Sequence, residues 1–259
     1  MKKYSVITFL FNNYDLLREP LFVDENADYY CLTDNKNLNS KTWNCIYIEE
    51  FDTDKLLGTQ KTYMAKYSFM NYIPRNYEYF LTIDASIEIV ESLTPIIEIM
   101  DTNNFNIGLS MHNYRNKWDD EYNIWIRDRH LDPKYKEIFD KYSKNVGLDP
   151  NSKTGLIECT MKIYKNEQIV LSFIKDVYKT LKVTNNFEDI NDQCYFTCVL
   201  SQYIDKFKPL YFCRQLYCNS KYFNLYFHGT NRRCSNEVTV KRNPNFLFGE
   251  NVDIKEFEE

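Results

Sequence analysis

Residues 79–90 read YFLTIDASIEIV: a run of large apolar side chains that ends on one aspartate, Asp84, followed by the small pair Ala85 and Ser86. Phe80, Leu81 and Ile83 suit a strand covered on both faces, and the small pair leaves room for another group to approach the backbone. A carboxylate at the end of such a strand is costly unless it is paired or hydrogen-bonded. Asp84 therefore either caps the turn that follows, a common use of Asp at strand ends, or holds a cation.

Upstream, residues 4–11, YSVITFLF, form another continuous apolar run, which stops at Asn12 and Asn13. Residues 27–35, ADYYCLTDN, and 43–51, WNCIYIEEF, repeat the pattern and end on Asp34 and on Glu49 and Glu50. Apolar strands of this kind, each closed by polar residues, predict an α/β chain built on a mainly parallel sheet. Ligands of such sheets lie outside the carboxyl ends of the strands, so Asn12, Asp34 and Asp84 are expected along one rim. Residues 16–22 are expected as a short helix or turn broken by Pro20. Met64, Tyr67, Ser68 and Asn71 recur at helical spacing before Pro74, which predicts a helix over 59–72 carrying Lys61 and Lys66.

Downstream, a helix near 95–100 leads to the apolar stretch 106–115, NIGLSMHNYR, with His112 and Arg115 at its end. Residues 118–149 are charged, aromatic and helical in pattern, with Gly147 placed as a C-cap. Residues 154–166 are expected as a strand pair and 169–183 as an amphipathic helix. A further helix opens at 190–193 with Asp192 and Gln193 in its first turn, where the macrodipole favours an anion and capping alone would account for Asp192. Beyond Pro209 the pattern breaks into short strands and loops, one of which carries His228 and Gly229. No internal repeat or linker divides the chain, so a single domain over 1–259 is expected.

At 259 residues, 44% hydrophobic and 27% charged, the chain has the balance of a globular protein with a sizeable core. A net charge of −5 argues against nucleic acid as a partner. Bases nevertheless gather over 206–242, as Lys206, Lys208, Arg214, Lys221, Arg232, Arg233, Lys241 and Arg242. That segment is either a solvated face or a surface for a phosphate-bearing ligand or an anionic membrane. The eight cysteines form no CxxC pair and read as reduced core thiols. The N-terminal apolar run is too short for a signal peptide, and no stretch approaches the ~18 apolar residues of a membrane span. A soluble, cytoplasmic protein is expected, with peripheral membrane contact through 206–242.

The polar strand ends at Asn12 and Asp34, Asp84 with Ser86, the DQ pair at a helix start and the late HG together resemble the GT-A superfamily of nucleotide-sugar-dependent glycosyltransferases. The order of strand, TDN, a KxxxxK-bearing helix and an apolar run closed by DAS is similar to the glycosyltransferase-like domain of bacterial capsule and plant cell-wall proteins. The later GLIECTMKIYKN and NDQCYFTCVL resemble that family's small-residue strand and RDQ-like motif, and the DQ and HG elements resemble retaining family-8 enzymes. The resemblance spans residues 4–230. It implies a GT-A fold, a mixed, mainly parallel sheet flanked by helices, with a Rossmann-like nucleotide-binding half over 1–112 and an acceptor and sugar half over 113–259.

The resemblance also implies an activity: transfer of a hexose from a nucleotide sugar, a UDP-sugar, to a glycan or lipid-linked acceptor with Mn²⁺ or Mg²⁺, and retention at the anomeric carbon. Asp84 takes the place of the first acid of the metal site, Ser86 stands where a second acid is expected, and His228 matches the histidine that completes the metal shell. Thr8, Asn12 and Asp34 would meet the nucleoside, and Lys61 or Lys66 the diphosphate. His112 and Arg115 match an H-x-x-R element nearer the acceptor. Asp192 would grip sugar hydroxyls and Gln193 would approach the anomeric carbon, making them the catalytic pair, with Glu158 a further candidate. A hydroxyl is a weaker ligand than a carboxylate, so Ser86 keeps two other readings open: an inactive GT-A domain that serves as a binding module, and a sugar nucleotidyltransferase. The latter usually has a glycine-rich basic loop after its first strand, and FLFNNYD has no glycine.

Overall fold

The computed structural model describes residues 2–112, 115, 117–148, 155–183, 192–212 and 220–234. A seven-stranded sheet runs through it in the order β3-β2-β1-β4-β7-β6-β8. Its members are β1 (Tyr4–Leu10), β2 (Ala27–Thr33), β3 (Asn44–Tyr47), β4 (Tyr79–Ile83), β6 (Ile107–Met111), β7 (Ile157–Lys165) and β8 (Pro209–Phe212). Only β7 is antiparallel to its neighbours, β4 and β6; the other pairings are parallel. The fold is thus mixed and mainly parallel, as expected. A separate two-stranded antiparallel sheet joins β5 (Ile87–Ile89) to β9 (Phe223–Leu225).

The apolar runs are continuous because both faces of the sheet are covered. Ile7 and Phe9 of β1 and Phe80 of β4 join a core with α1 (Gly58–Ser68), α3 (Trp118–Arg129), α4 (Lys134–Asn145), α5 (Gln168–Val183) and α6 (Asp192–Ser201). Val6 and Leu10 of β1 and Tyr79, Leu81 and Ile83 of β4 join the opposite core with α2 (Thr94–Thr102) and the β5-β9 pair. Strand side chains alternate with period two, so Asp84, in step with Phe80 and Thr82, falls on the face covered by α1 and α6. β1–β4 and β6 come from residues 1–112 and β7 and β8 from the remainder, so both parts of the chain build one sheet.

Several elements differ from expectation. Residues 16–22 form no helix; Leu16, Leu21 and Phe22 are exposed, and Pro20 removes a backbone donor, so neither packing nor propensity supports one. The third strand stops at Tyr47, and Glu49–Phe51 is a 3₁₀ turn. Residues expected as a strand pair make one strand, β7, whose nine residues contain no turn residue and are inserted between β4 and β6. The β6–β7 register shifts between Leu109, opposite Lys162, and Ser110, opposite Glu158, a bulge at the carboxyl end of β6. The helical stretch after Trp118 divides at His130, with φ of 55°. Gly147, with φ of 80°, ends α4 as expected, donating to the Lys144 carbonyl at 3.0 Å while Leu148 donates to the Ser143 carbonyl at 2.8 Å.

Cys31, Cys159, Cys194 and Cys198 are buried thiols; Cys213 and Cys218 lie outside the described residues. So do Arg214, Lys241 and Arg242 of the basic segment. Among the described residues no helix is long and apolar enough to cross a membrane.

Gly108 of β6 lies close against β7: a Cβ there would stand 3.0 Å from the Cβ of Ile163. Gly108→Ala should therefore destabilise the protein by about 1–3 kcal/mol through overpacking, read as a lower urea midpoint at unchanged m-value.

Candidate active site

The carboxyl ends of β1, β4 and β6 and the amino end of β7 open into one cavity of about 460 Å³, within the range of small-molecule sites. α1, α3 and the first turn of α6 wall it on one side, and the loop after β9 walls it on the other. Asp84, Ser86, Lys66, His112, Arg115, Glu158, Asp192, Gln193 and His228 all line it.

Asp84 does not spend its carboxylate on the turn. That turn is held by backbone, with the Ile87 N–H on the Asp84 carbonyl at 3.0 Å. The carboxylate Oδ1 instead lies 2.6 Å from Lys66 Nζ. Burial alone would lower the Lys66 pKa, but the adjacent Asp84 and Asp192 carboxylates outweigh it and hold the ammonium above the usual lysine range. Lys66 also lies 3.4 Å from the Cys159 carbonyl of β7.

Asp192 is buried at the start of α6 and accepts a hydrogen bond from Tyr67 Oη at 2.8 Å. Beneath it Lys162 is wholly buried, donating to the Cys159 carbonyl at 2.8 Å, with its ammonium 5.3 Å from the Tyr67 ring and 5.4 Å from the Phe196 ring. Burial depresses the Lys162 pKa, opposed by Cys159. Tyr67 lies next to Lys66 in the chain, so α1 supplies both the cation for Asp84 and, from behind the cavity wall, the donor for Asp192.

Lys61, five residues earlier, serves a different cluster. Its Nζ is 2.6 Å from Asp34 Oδ2 and 2.5 Å from Asn12 Oδ1, and the Asn12 N–H donates to Asp34 Oδ1 at 3.0 Å. Asp34, Asn12 and Lys61 thus share the rim with Asp84 but do not line the cavity. Gly58 lets α1 begin here, since a Cβ would lie 3.3 Å from the Asn12 Cβ and 3.4 Å from the Phe11 carbonyl. Thr8 is buried within β1 and does not line the cavity.

His112 is buried and its Nδ1 accepts the Arg115 N–H at 3.2 Å. Arg115 pairs with Glu121 of α3, which also accepts from Trp125 Nε1 at 2.8 Å. Glu158 stands at the β7 bulge. Asp15, absent from the sequence expectations, proves to be a member of the site: it is buried and its Oδ2 lies 2.6 Å from His228 Nδ1. The carboxylate also accepts from the Leu16 N–H at 2.8 Å and the Gly229 N–H at 3.2 Å. Burial would raise its pKa, but the hydrogen bonds from His228, Leu16 and Gly229 hold it below the usual range. The hydrogen bond to Asp15 raises the pKa of His228 in turn.

The divalent ion implied by the sequence resemblance finds few of its donors here. Asp84 is paired with Lys66 and Ser86 is neutral and 1% exposed, which leaves His228 Nε2, on a ring oriented by the Asp15 carboxylate, as the remaining donor of the expected set. Among the described residues no three His, Cys, Asp or Glu side chains are grouped to hold a metal ion.

The His228–Asp15 pair predicts a pH dependence. Since the folded pKa of His228 is raised, its stabilising contribution is full below the unfolded value and is lost as pH rises through the folded one. The stability difference between the parent chain and His228→Gln should therefore be larger at about pH 5.5 than at about pH 9. Because the histidine is half exposed the change should stay below about 1 kcal/mol, measured by denaturant titration.

No family model and no curated protein matches the chain. Among solved structures, core-mannan synthase A (CmsA/Ktr4) from Aspergillus fumigatus, in a Mn/GDP form, is 10% identical at a TM-score of 0.49, with 95% of this chain and 82% of that one covered. The galactosyltransferase LgtC, in complex with donor and acceptor sugar analogues, is 12% identical at a TM-score of 0.43, with 75% and 70% covered. Mouse xyloside xylosyltransferase 1 is 10% identical at a TM-score of 0.42, with 80% and 84% covered. Similarity at this level carries no weight for the chemistry, which rests on the residues of the cavity.

Proposed function

We propose that the chain is a glycosyltransferase that moves a hexose from a nucleotide sugar, a UDP-sugar, to a glycan or lipid-linked acceptor, with retention at the anomeric carbon. The observation that carries this reading is the convergence of Lys66, Asp84, Asp192 and Gln193 on one cavity at the carboxyl rim of the sheet. A cation beside a carboxylate suits a leaving diphosphate, and a buried carboxylate held by Tyr67 suits a sugar hydroxyl.

In the proposed reaction the bond between the anomeric carbon and the diphosphate oxygen breaks, and its electron pair leaves with the diphosphate. The acceptor hydroxyl oxygen forms the new bond to that carbon, and its proton passes to the departing phosphate oxygen. Asp192 accepts hydrogen bonds from the sugar hydroxyls, and the Gln193 amide lies beside the anomeric carbon. His112, Arg115 and Glu158 face the acceptor side. Asn12, Asp34 and Lys61 make the nucleoside end of the rim, Asp34 being an acceptor for an imide N–H such as that of uracil. The location proposed for this activity is the cytoplasm, on acceptors reached through the basic surface that includes Lys206, Lys208 and Lys221.

Ser86, in the place of an acid, favours a second reading in which the same cavity binds a nucleotide sugar without turning it over. A panel of UDP- and GDP-sugars, scored for thermal stabilisation and for slow hydrolysis, separates the two: stabilisation without hydrolysis in any acceptor mixture leaves the binding module. A panel with no stabilisation and no hydrolysis removes both. Within the enzyme reading, Asp192→Asn should retain the Tyr67 hydrogen bond and nucleotide binding yet lower donor hydrolysis by about 10²–10³-fold, as expected for loss of a charged group at the reacting centre. An unchanged hydrolysis rate would return Asp192 to a helix-start role.

A further inference from the structure

Asp84 is the oxygen donor that a divalent ion would need first, and it is already engaged. Its Oδ1 lies 2.6 Å from Lys66 Nζ, and the lysine side chain is only 7% exposed, so the ammonium cannot turn away into solvent. Hard divalent ions take six or more oxygen ligands and favour carboxylates, whereas Ser86 offers a buried neutral hydroxyl. His228, the third expected ligand, has its Nδ1 on Asp15 at 2.6 Å, which leaves Nε2 as one nitrogen donor beside the engaged Asp84 and the neutral Ser86. An ion brought against Asp84 would also meet the like charge of Lys66. The other cations near the site are committed elsewhere: Arg115 to Glu121, and Lys61 to Asp34 and Asn12.

Resting on the nucleotide-sugar reading above, we propose that Lys66 is itself the cation of the donor site, standing beside the diphosphate where a divalent ion would otherwise stand, so that this chain binds nucleoside diphosphates without metal. The ammonium has three N–H donors. Asp84 takes one, and the Cys159 carbonyl is the acceptor nearest to another at 3.4 Å, which leaves a donor for a phosphate oxygen at the cavity wall. Asp84 then serves to aim the ammonium rather than to ligate an ion, and Asp192 adds to the field that keeps it protonated. Lysine suits this task as a compact point charge that needs no fixed coordination geometry.

The test is calorimetric titration of the full chain with UDP and with GDP, first in excess EDTA and then with Mn²⁺. The expected result is a Kd that agrees within about twofold between the two conditions, weakened about tenfold or more in EDTA by Lys66→Met and largely kept by Lys66→Arg. Lys66→Met leaves Asp84 without its partner, so the double variant Lys66→Met with Asp84→Asn, checked for fold by circular dichroism, removes both charges together and should show the same loss. Binding that appears only with Mn²⁺, or binding in EDTA that is unchanged in the double variant, overturns the role of Lys66 while the nucleotide-sugar reading stands. Absence of binding to either nucleotide in both conditions overturns that reading and the inference with it.

Discussion

Covering both faces of β1 and β4 leaves the central strands with nowhere to place charge except their ends. Ile7, Phe9 and Phe80 serve one core, and Val6, Leu81 and Ile83 serve the other. Asn12 and Asp84, which follow these strands, therefore emerge together at the carboxyl rim, and the helices that cover the sheet begin or pass there with their own polar groups. The cavity is a consequence of this constraint, because charged side chains at the rim are only partly satisfied by backbone and need partners from α1 and α6.

The Lys66–Asp84 pair is the clearest such partnership. Burying an ion pair is not a cheap route to stability: the desolvation of both groups offsets much of their attraction, while losing one partner leaves a buried charge, typically at about 3–5 kcal/mol. Lys162 makes the point more sharply. It is wholly buried, with the Cys159 carbonyl as acceptor and aromatic faces around it, and burial lowers its pKa. Lys66, Asp84 and Asp192 at the cavity wall, with Lys162 buried behind them, cost more than apolar side chains of the same volume.

How much of this was legible in the sequence varies with the kind of interaction. Asp84 could be read, because a continuous apolar run and a period of two place it at the rim and on a known face. The C-cap at Gly147 and the helix carrying Lys61 and Lys66 were legible from local pattern for the same reason. Which lysine meets which carboxylate was not, since α1 buries Gln60, Lys61, Lys66 and Ser68, and a helix with polar residues on its buried side carries no amphipathic signal. Asp15 was illegible in a different way: its partner His228 is separated from it by most of the chain, and nothing local in NNYD marks a buried carboxylate. The single strand β7 was not legible as one because Glu158, Thr160 and Lys162 stand among its apolar residues, and the burial of Lys162 depends on packing under Tyr67 and Phe196.

The same long-range contacts explain why position 86 is a serine. The Tyr226 N–H donates to the Ser86 carbonyl at 2.9 Å, and β9, which leads into Tyr226, pairs with β5 directly after the turn. Arg18 adds a second tie, with its guanidinium 3.7 Å above the Tyr226 ring and bonded to the Thr230 carbonyl at 2.6 Å. Asp15 adds a third through His228 and Gly229. The loop after β9 is thereby drawn down over the turn, and Ser86 is left 1% exposed beneath it. A carboxylate in that position would have to be desolvated beneath the loop, and the cost of a buried charge opposes it. Under the role proposed for Lys66, serine at 86 and lysine at 66 are one choice, in which the cation is built into the helix and position 86 becomes the small seat on which the loop rests.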